Sequence, residues 1–235
     1  MDTAAKKRKL DTMDKNAKII GIWGGRGSGK STCTKEQIRY NDAYKDRVIV
    51  FDPAGDYADE KGFSGYKTLK GLYTALRRNW NGRFRLVITV GETDDPEALL
   101  EQLAKDLFKI QEPYKTGKDH RQITLVVEEM SICYPEKTLS KKQQSFKRLI
   151  NLGRHYGVNI IGVSQRMAEV KKNFVGNCAE HYFLRMGSYA DYQAVGRIIG
   201  PQDTEKLKTL KTHHYLHFEQ GKIARGKNRC DFRKS

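Results

Sequence analysis

Ile19-Ile20-Gly21-Ile22-Trp23, running into Gly24-Gly25-Arg26-Gly27-Ser28-Gly29-Lys30-Ser31-Thr32, is the stretch on which the reading of this chain turns. Its opening is short, apolar and β-rich and stops at a glycine cluster, as a buried strand does. The glycine cluster satisfies G-x-x-x-x-G-K-[ST] and stands between that strand and a helix predicted from Lys30 to about Tyr44, which is the context that gives the motif physical meaning. Glycines let the backbone curl until successive N–H groups face one anion, and the start of the helix adds the positive end of its dipole. Residues Gly24 to Thr32 are therefore candidates to cradle the phosphates of ATP. Lys30 is expected on the β- and γ-phosphates, and Ser31 is expected to offer its hydroxyl to Mg2+.

Outward from this loop, apolar runs alternate with helical spacing. Val48-Ile49-Val50-Phe51 reads as a second buried strand, ended by Asp52-Pro53 and the turn signal Ala54-Gly55-Asp56. Residues 67–79 have helical spacing, and Phe84 to Val90 reads as a strand. Pro96 opens an amphipathic helix carrying Leu99, Leu100, Leu103, Leu107 and Ile110, which ends before Pro113. Tyr114 to Arg121 reads as a loop, and Ile123 to Val127 as a strand. A long basic helix from about Leu139 to Tyr156 and a strand from Val158 to Val163 follow. Beyond Gln165 the pattern predicts a strand at His181–Arg185, helices near 189–198 and 202–209, and a hairpin in which Tyr215-Leu216-His217-Phe218 precedes Gln220-Gly221. Strands alternating with helices of this length predict an α/β fold of the phosphate-loop NTPase kind, a mostly parallel sheet with helices on both faces.

The 235 residues suffice for one domain, expected over 18–220 between a basic leader (1–17) and a basic tail (221–235). Lys and Arg number 44 against 28 Asp and Glu, a net charge of +16. Residues 1–18 hold six basic and three acidic side chains, and Lys222 to Lys234 hold six and one. Such a balance suits a polyanionic partner, because each phosphate neutralised releases counterions. Lys6-Lys7-Arg8-Lys9 has the form of a nuclear targeting cluster, although a solvated basic run has the same form. A mean hydropathy of −0.72 excludes a polytopic membrane protein. No apolar run approaches the roughly 18 residues that span a bilayer. The N-terminus lacks the apolar stretch of a secretory signal, so the chain is expected to stay in the cytoplasm. Cys33, Cys133, Cys178 and Cys230 form no C-x-x-C pair, which argues against a disulfide framework or a zinc site.

The other half of a nucleotide site should be a carboxylate at the carboxyl end of a different buried strand. Glu128 and Glu129 follow Ile123–Val127 directly. Glu128 is the candidate to hold the metal through water, with a side chain longer than the usual Asp, and Glu129 to polarise the attacking water. Gln165, at the end of the strand that begins at Val158, could hydrogen-bond the γ-phosphate or that water and pass the difference between triphosphate and diphosphate to Arg166–Asn173. Arg154, expected at the mouth of the sheet, is the candidate arginine finger, with Arg148 and Arg185 as further candidates. Trp23 reads as core, and His213, His214 and His217 as surface histidines of a strand.

The order of these pieces resembles the FtsK–HerA group of phosphate-loop motor ATPases, and within it the small genome-packaging ATPases of tailless, membrane-containing viruses. Asp52-Pro53-Ala54-Gly55-Asp56-Tyr57 is similar to that family's Asp-Pro-x-Gly-Glu-Tyr turn. Gly153-Arg154-His155-Tyr156-Gly157-Val158, leading to Ser164-Gln165-Arg166, is similar to its Gly-Arg-x-x-Gly-Val strand with a terminal glutamine. The family's frequent Gln-Arg-Pro is here Gln165-Arg166-Met167.

The resemblance spans about residues 18–220. It implies an ATP-driven translocase of double-stranded DNA, working as a homo-oligomeric ring with a hexamer favoured. Portal or vertex proteins of a capsid are among the implied partners, and the host cytoplasm or a virion vertex is the implied place of work. Two other classes fit the residues less fully. A small-molecule kinase shares the phosphate loop but leaves Gln165 and the charge unexplained. A nucleotide-gated DNA-binding protein without processive hydrolysis has no need of a catalytic carboxylate at Glu129.

Overall fold

Val48 and Val50 belong to one buried cluster and Ile49 and Phe51 to another, and all four have no exposed surface. A strand covered on both faces in this way belongs inside a parallel sheet. The structure, a computed structural model, describes residues 16–229 apart from 58, 138 and 139. The Lys6–Lys9 cluster, most of the predicted leader and residues 230–235 lie outside the described residues.

Nine strands form one sheet in the order β3-β4-β2-β5-β6-β1-β7-β8-β9. They are β1 (Ile19–Trp23), β2 (Arg47–Asp52), β3 (Ser64–Tyr66), β4 (Phe84–Thr89), β5 (Ile123–Val127), β6 (Val158–Ser164), β7 (Glu180–Phe183), β8 (His214–Glu219) and β9 (Lys222–Lys227). Strands β1 to β7 pair in parallel, and β8 and β9 close the far edge as an antiparallel hairpin. The α/β expectation is met, with most of the strand bounds within one or two residues. The sheet extends past residue 220, because the hairpin that turns at Gln220-Gly221 requires a return strand, so β9 falls within the segment expected as a tail.

The helices are α1 (Lys30–Tyr40), α2 (Leu69–Asn79), α3 (Pro96–Ile110), α4 (Glu112–Lys115), α5 (Met130–Cys133), α6 (Gln144–Leu152), α7 (Lys172–Asn177) and α8 (Tyr189–Lys208). They divide unequally. Leu72 and Leu76 of α2, Leu100, Leu103 and Leu107 of α3, Phe146 and Leu149 of α6, and Val195 and Leu207 of α8 pack into the larger cluster on one face. Cys33 and Ile38 of α1 cover the other, beside Tyr44, Tyr57, Tyr182 and Leu184. Truncating one of these buried Leu or Ile residues to Ala costs about 2–5 kcal/mol.

Three differences from the sequence reading have local causes. The long helix predicted from Leu139 to Tyr156 is a 3-10 turn (Ser140–Gln143), then α6, then a second 3-10 turn (Gly153–Tyr156). Gln143 is drawn out of helical register by side-chain bonds to Glu97 Oε2 (2.9 Å) and the Cys133 carbonyl (3.2 Å). Gly157, with φ 64°, ends the second turn. The two helices expected after 189 run as α8 but are separated at Gly200, whose φ of 81° and ψ of 163° are not helical, with Pro201 next. Strand β3 and helices α4, α5 and α7 are too short for periodicity to reveal, and α4 takes in Tyr114 and Lys115 from the stretch expected as a loop.

Candidate nucleotide site

Strand β1 delivers the glycine loop to the carboxyl edge of the sheet. The Gly24 N–H donates to the Ser164 carbonyl (3.3 Å) and the Gly25 N–H to the Arg185 carbonyl (2.8 Å), so the loop is stitched to the ends of β6 and of the segment after β7. Gly29 caps α1 with φ 104°, a conformation L side chains rarely adopt. A Cβ there would stand 2.7 Å from His213 Nδ1. His213 is thus more than a surface histidine. With φ 66°, it donates its backbone N–H to the Ser28 carbonyl (2.9 Å), while the Asn228 amide donates to the Gly29 carbonyl (3.1 Å). Residues from the closing hairpin therefore brace the phosphate loop from behind.

Ser31 is exposed and Thr32 half-buried at the first turn of α1. Lys30 donates to the Gly25 carbonyl (3.3 Å), which keeps its ammonium folded against the loop. Burial lowers its pKa, and the charges of Glu129, Glu128 and Asp56 oppose that shift. The lysine therefore lies within the electrostatic reach of three carboxylates at the same edge.

The acidic residues at the ends of β2 and β5 differ in environment. Asp52, at the end of β2, is fully buried and spends both oxygens on its own turn: Oδ1 accepts from the Gly55 N–H (2.9 Å) and Oδ2 from the Tyr57 N–H (2.8 Å). Glu128, at the end of β5 and 7% exposed, accepts from the Tyr57 hydroxyl at 2.7 Å. Burial pushes its pKa up to about 7, against the pull of that hydrogen bond. Glu129 adopts φ 49° and ψ 55°, a left-handed conformation costing a non-glycine residue about 1–3 kcal/mol. Of the two glutamates only Glu128 is buried. The Ser31 hydroxyl and the Glu128 carboxylate are hard oxygen donors, the ligand type that Mg2+ takes together with water.

Gln165, immediately after β6, is half-buried and donates from Nε2 to Glu129 Oε1 at 2.7 Å. The next residue, Arg166, bonds Glu169 (2.9 Å) and lies 3.4 Å from Asp191 of α8. Asp191 is fully buried and also accepts from the Ala168 N–H (3.0 Å). Gln165 is thus connected through the 166–169 segment to α8.

Lys30, Glu128, Glu129, Gln165 and the glycine loop converge at one edge of the sheet. Arg154 does not join them. It is exposed on the 3-10 turn before β6, at the opposite end of a seven-residue strand and so roughly 20 Å away at ~3.3 Å per residue. The expectation of an arginine at the mouth of the sheet is corrected accordingly, because the turn precedes the strand and the phosphate edge follows it. Arg148, on α6, has its guanidinium over the Phe108 ring at 5.2 Å. Of the three arginines, Arg185 is the one beside the loop, exposed, with its carbonyl held by Gly25.

Trp23 is fully buried and donates to His181 Nδ1 at 3.0 Å, in keeping with a core role. Glu180, His217 and Glu219 present ligand-type atoms within 4.8 Å of one another, but Lys18 bonds both Glu180 (2.7 Å) and Glu219 (2.8 Å) and already supplies the cation. Sequence reasoning missed Tyr57 as a partner of Glu128 and His213 as a brace of the loop. Tyr57 stood within a turn that was recognised, but its reach to another strand end is set by pairing between distant segments.

The family described as the type IV secretion-system coupling protein DNA-binding domain matches residues 12–65, which contain the glycine loop and the Asp52 turn. Protein P9 of Pseudoalteromonas phage PM2 is 24% identical over 157 residues, covering 67% of this chain; the chain spans 63% of the length of that relative. The genome packaging NTPase B204 from Sulfolobus turreted icosahedral virus 2, in complex with ATP-gammaS, superposes with a TM-score of 0.67 at 18% identity over 90% of this chain and 98% of its own. VirB4 of Thermoanaerobacter pseudethanolicus superposes with a TM-score of 0.66 at 12% identity, over 94% and 92%. The fold is that of a P-loop NTPase. That fold is shared with the packaging NTPase B204 and with VirB4. Among the described residues no helix is long and apolar enough to cross a membrane.

Proposed function

We propose that this chain is an ATP-driven double-stranded DNA translocase that packages a viral genome, working as a ring with its nucleotide sites at subunit interfaces. The observation that carries the reading is the bond from Gln165 to Glu129 beside the phosphate loop. It links a residue suited to activating water with a residue suited to sensing the γ-phosphate. A small-molecule kinase has no use for that link.

The loop N–H groups and Lys30 would hold the triphosphate, and Ser31 and Glu128 would hold Mg2+, which when bound neutralises charge on the phosphate oxygens. Glu129, released by Gln165, would accept the proton of the attacking water as its oxygen bonds the γ-phosphorus and the diphosphate leaves. Gln165 would then follow the γ-phosphate, and the movement would pass through Arg166 and Asp191 to α8. Arg154, at the opposite end of the strand, could reach a γ-phosphate only in a neighbouring subunit, and Arg185 is the candidate on the same subunit. DNA would be gripped by lysine and arginine on its phosphates, contacts that carry no sequence information and suit a motor moving any sequence. The +16 charge, the match to a coupling-protein DNA-binding domain and the likeness to B204 and P9 support DNA as the partner. Capsid portal or vertex proteins, in the host cytoplasm or at the virion vertex, complete the proposal.

The test is the ATPase rate with and without long double-stranded DNA at low and moderate salt, with the oligomeric state recorded. Stimulation that weakens with salt and appears only in the assembled form is expected. Turnover by a monomer, indifferent to DNA and dependent on a small acceptor, would show a kinase instead.

A further inference from the structure

Tyr57 is fully buried, and its phenol hydroxyl donates to Glu128 Oε1 at 2.7 Å. The ring is held independently of that bond. Phe63 packs edge-on against it at 5.6 Å, and the Lys35 ammonium stands over it at 5.3 Å. The backbone of Tyr57 is fixed by Asp52 Oδ2 at 2.8 Å. Lys35 and Arg39 of α1 both bond Glu60, at 2.5 and 2.7 Å. Tyr57, Glu60 and Phe63 are therefore pinned to the helix that begins at Lys30. A phenylalanine would fill the same volume, so packing alone does not call for the hydroxyl.

We infer that Tyr57 is a positioning residue for the metal-side carboxylate. Its hydroxyl engages one oxygen of Glu128 and fixes the rotamer, which leaves the second oxygen for the water shell of Mg2+. Because Tyr57 is docked on α1, whose first turn carries Ser31, both candidate metal ligands are referenced to one rigid element. Outer hydrogen bonds of this kind are worth about 10–100-fold in metal affinity. The inference rests on reading Gly24–Thr32 and Glu128 as a Mg2+·ATP site.

The experiment measures binding of a fluorescent ATP analogue by the full chain as Mg2+ is titrated, for the wild type, Tyr57→Phe, Glu128→Gln, the double variant and Phe63→Leu. The Tyr57→Phe protein should need about tenfold more Mg2+ for half-maximal tightening, with metal-free affinity unchanged. The double variant should be no worse than Glu128→Gln, and Phe63→Leu should keep the wild-type requirement. Wild-type Mg2+ dependence in Tyr57→Phe, or an equal shift in Phe63→Leu, would overturn the positioning role while leaving the site intact. A wild type whose nucleotide binding ignores Mg2+ would overturn the reading of the site and the inference with it.

Discussion

The Gln165 amide donates to Glu129 Oε1 at 2.7 Å, across the ends of two neighbouring parallel strands. In this pose the amide occupies an oxygen that a general base needs for water. Glu129→Gln should keep nucleotide binding and lower kcat by about 10²–10⁴. Gln165→Ala should lower DNA-stimulated kcat by about 10² while leaving the KM for ATP near its wild-type value. Steady-state kinetics on both variants decide this, and wild-type turnover in either removes that residue from the mechanism.

Lys30→Ala removes the one ammonium in the loop. Nucleotide affinity and hydrolysis should both collapse, with the melting temperature little changed, since the lysine makes one long bond to Gly25. Calorimetric titration with ATP analogues checks it; retained turnover would displace the site.

Arg154→Ala should bind nucleotide normally and hydrolyse it about 10³-fold more slowly, the lower end of what an arginine finger contributes. Because Arg154 lies at the far end of β6, its action requires a neighbour. Mixing it with Lys30→Ala subunits should restore activity to the interfaces that pair an intact loop with an intact arginine. Mixtures as inactive as the parents would argue against action across the interface and turn attention to Arg185.

Burial lowers the pKa of His181 to about 4, so the folded chain refuses a proton that the unfolded chain accepts below its ordinary value of about 6.5. Stability from this group is present above pH 6.5 and is lost as pH falls toward 4, by at most about 3 kcal/mol. His181→Gln keeps an acceptor for Trp23 without titrating. Its melting temperature should fall less steeply than the wild type's between pH 6.5 and 4.5, and equal slopes would assign the acid sensitivity elsewhere.

The phosphate loop, the paired glutamates and Gln165 were legible because each sits at a strand end announced by a short apolar run. Their meeting was legible too, since carboxyl ends of parallel strands share an edge. The position of Arg154 relative to that edge was readable in principle, as it precedes Val158 and does not follow Ser164. The tie from Tyr57 to Glu128 was not, because it depends on β2 lying beside β5, a pairing between segments some 70 residues apart, and local patterns carry no such information. The break at Gln143 has the same origin, in partners on α3 and at the last residue of α5.

The central claim is movement of DNA, and displacement of a third strand from a DNA triplex tests it most directly. With ATP and Mg2+ the wild-type protein should strip the third strand from a long duplex whatever its sequence, and Lys30→Ala and Glu129→Gln should not. Hydrolysis stimulated by DNA without any displacement would contradict the claim, and would leave the protein a DNA-responsive ATPase that does not translocate.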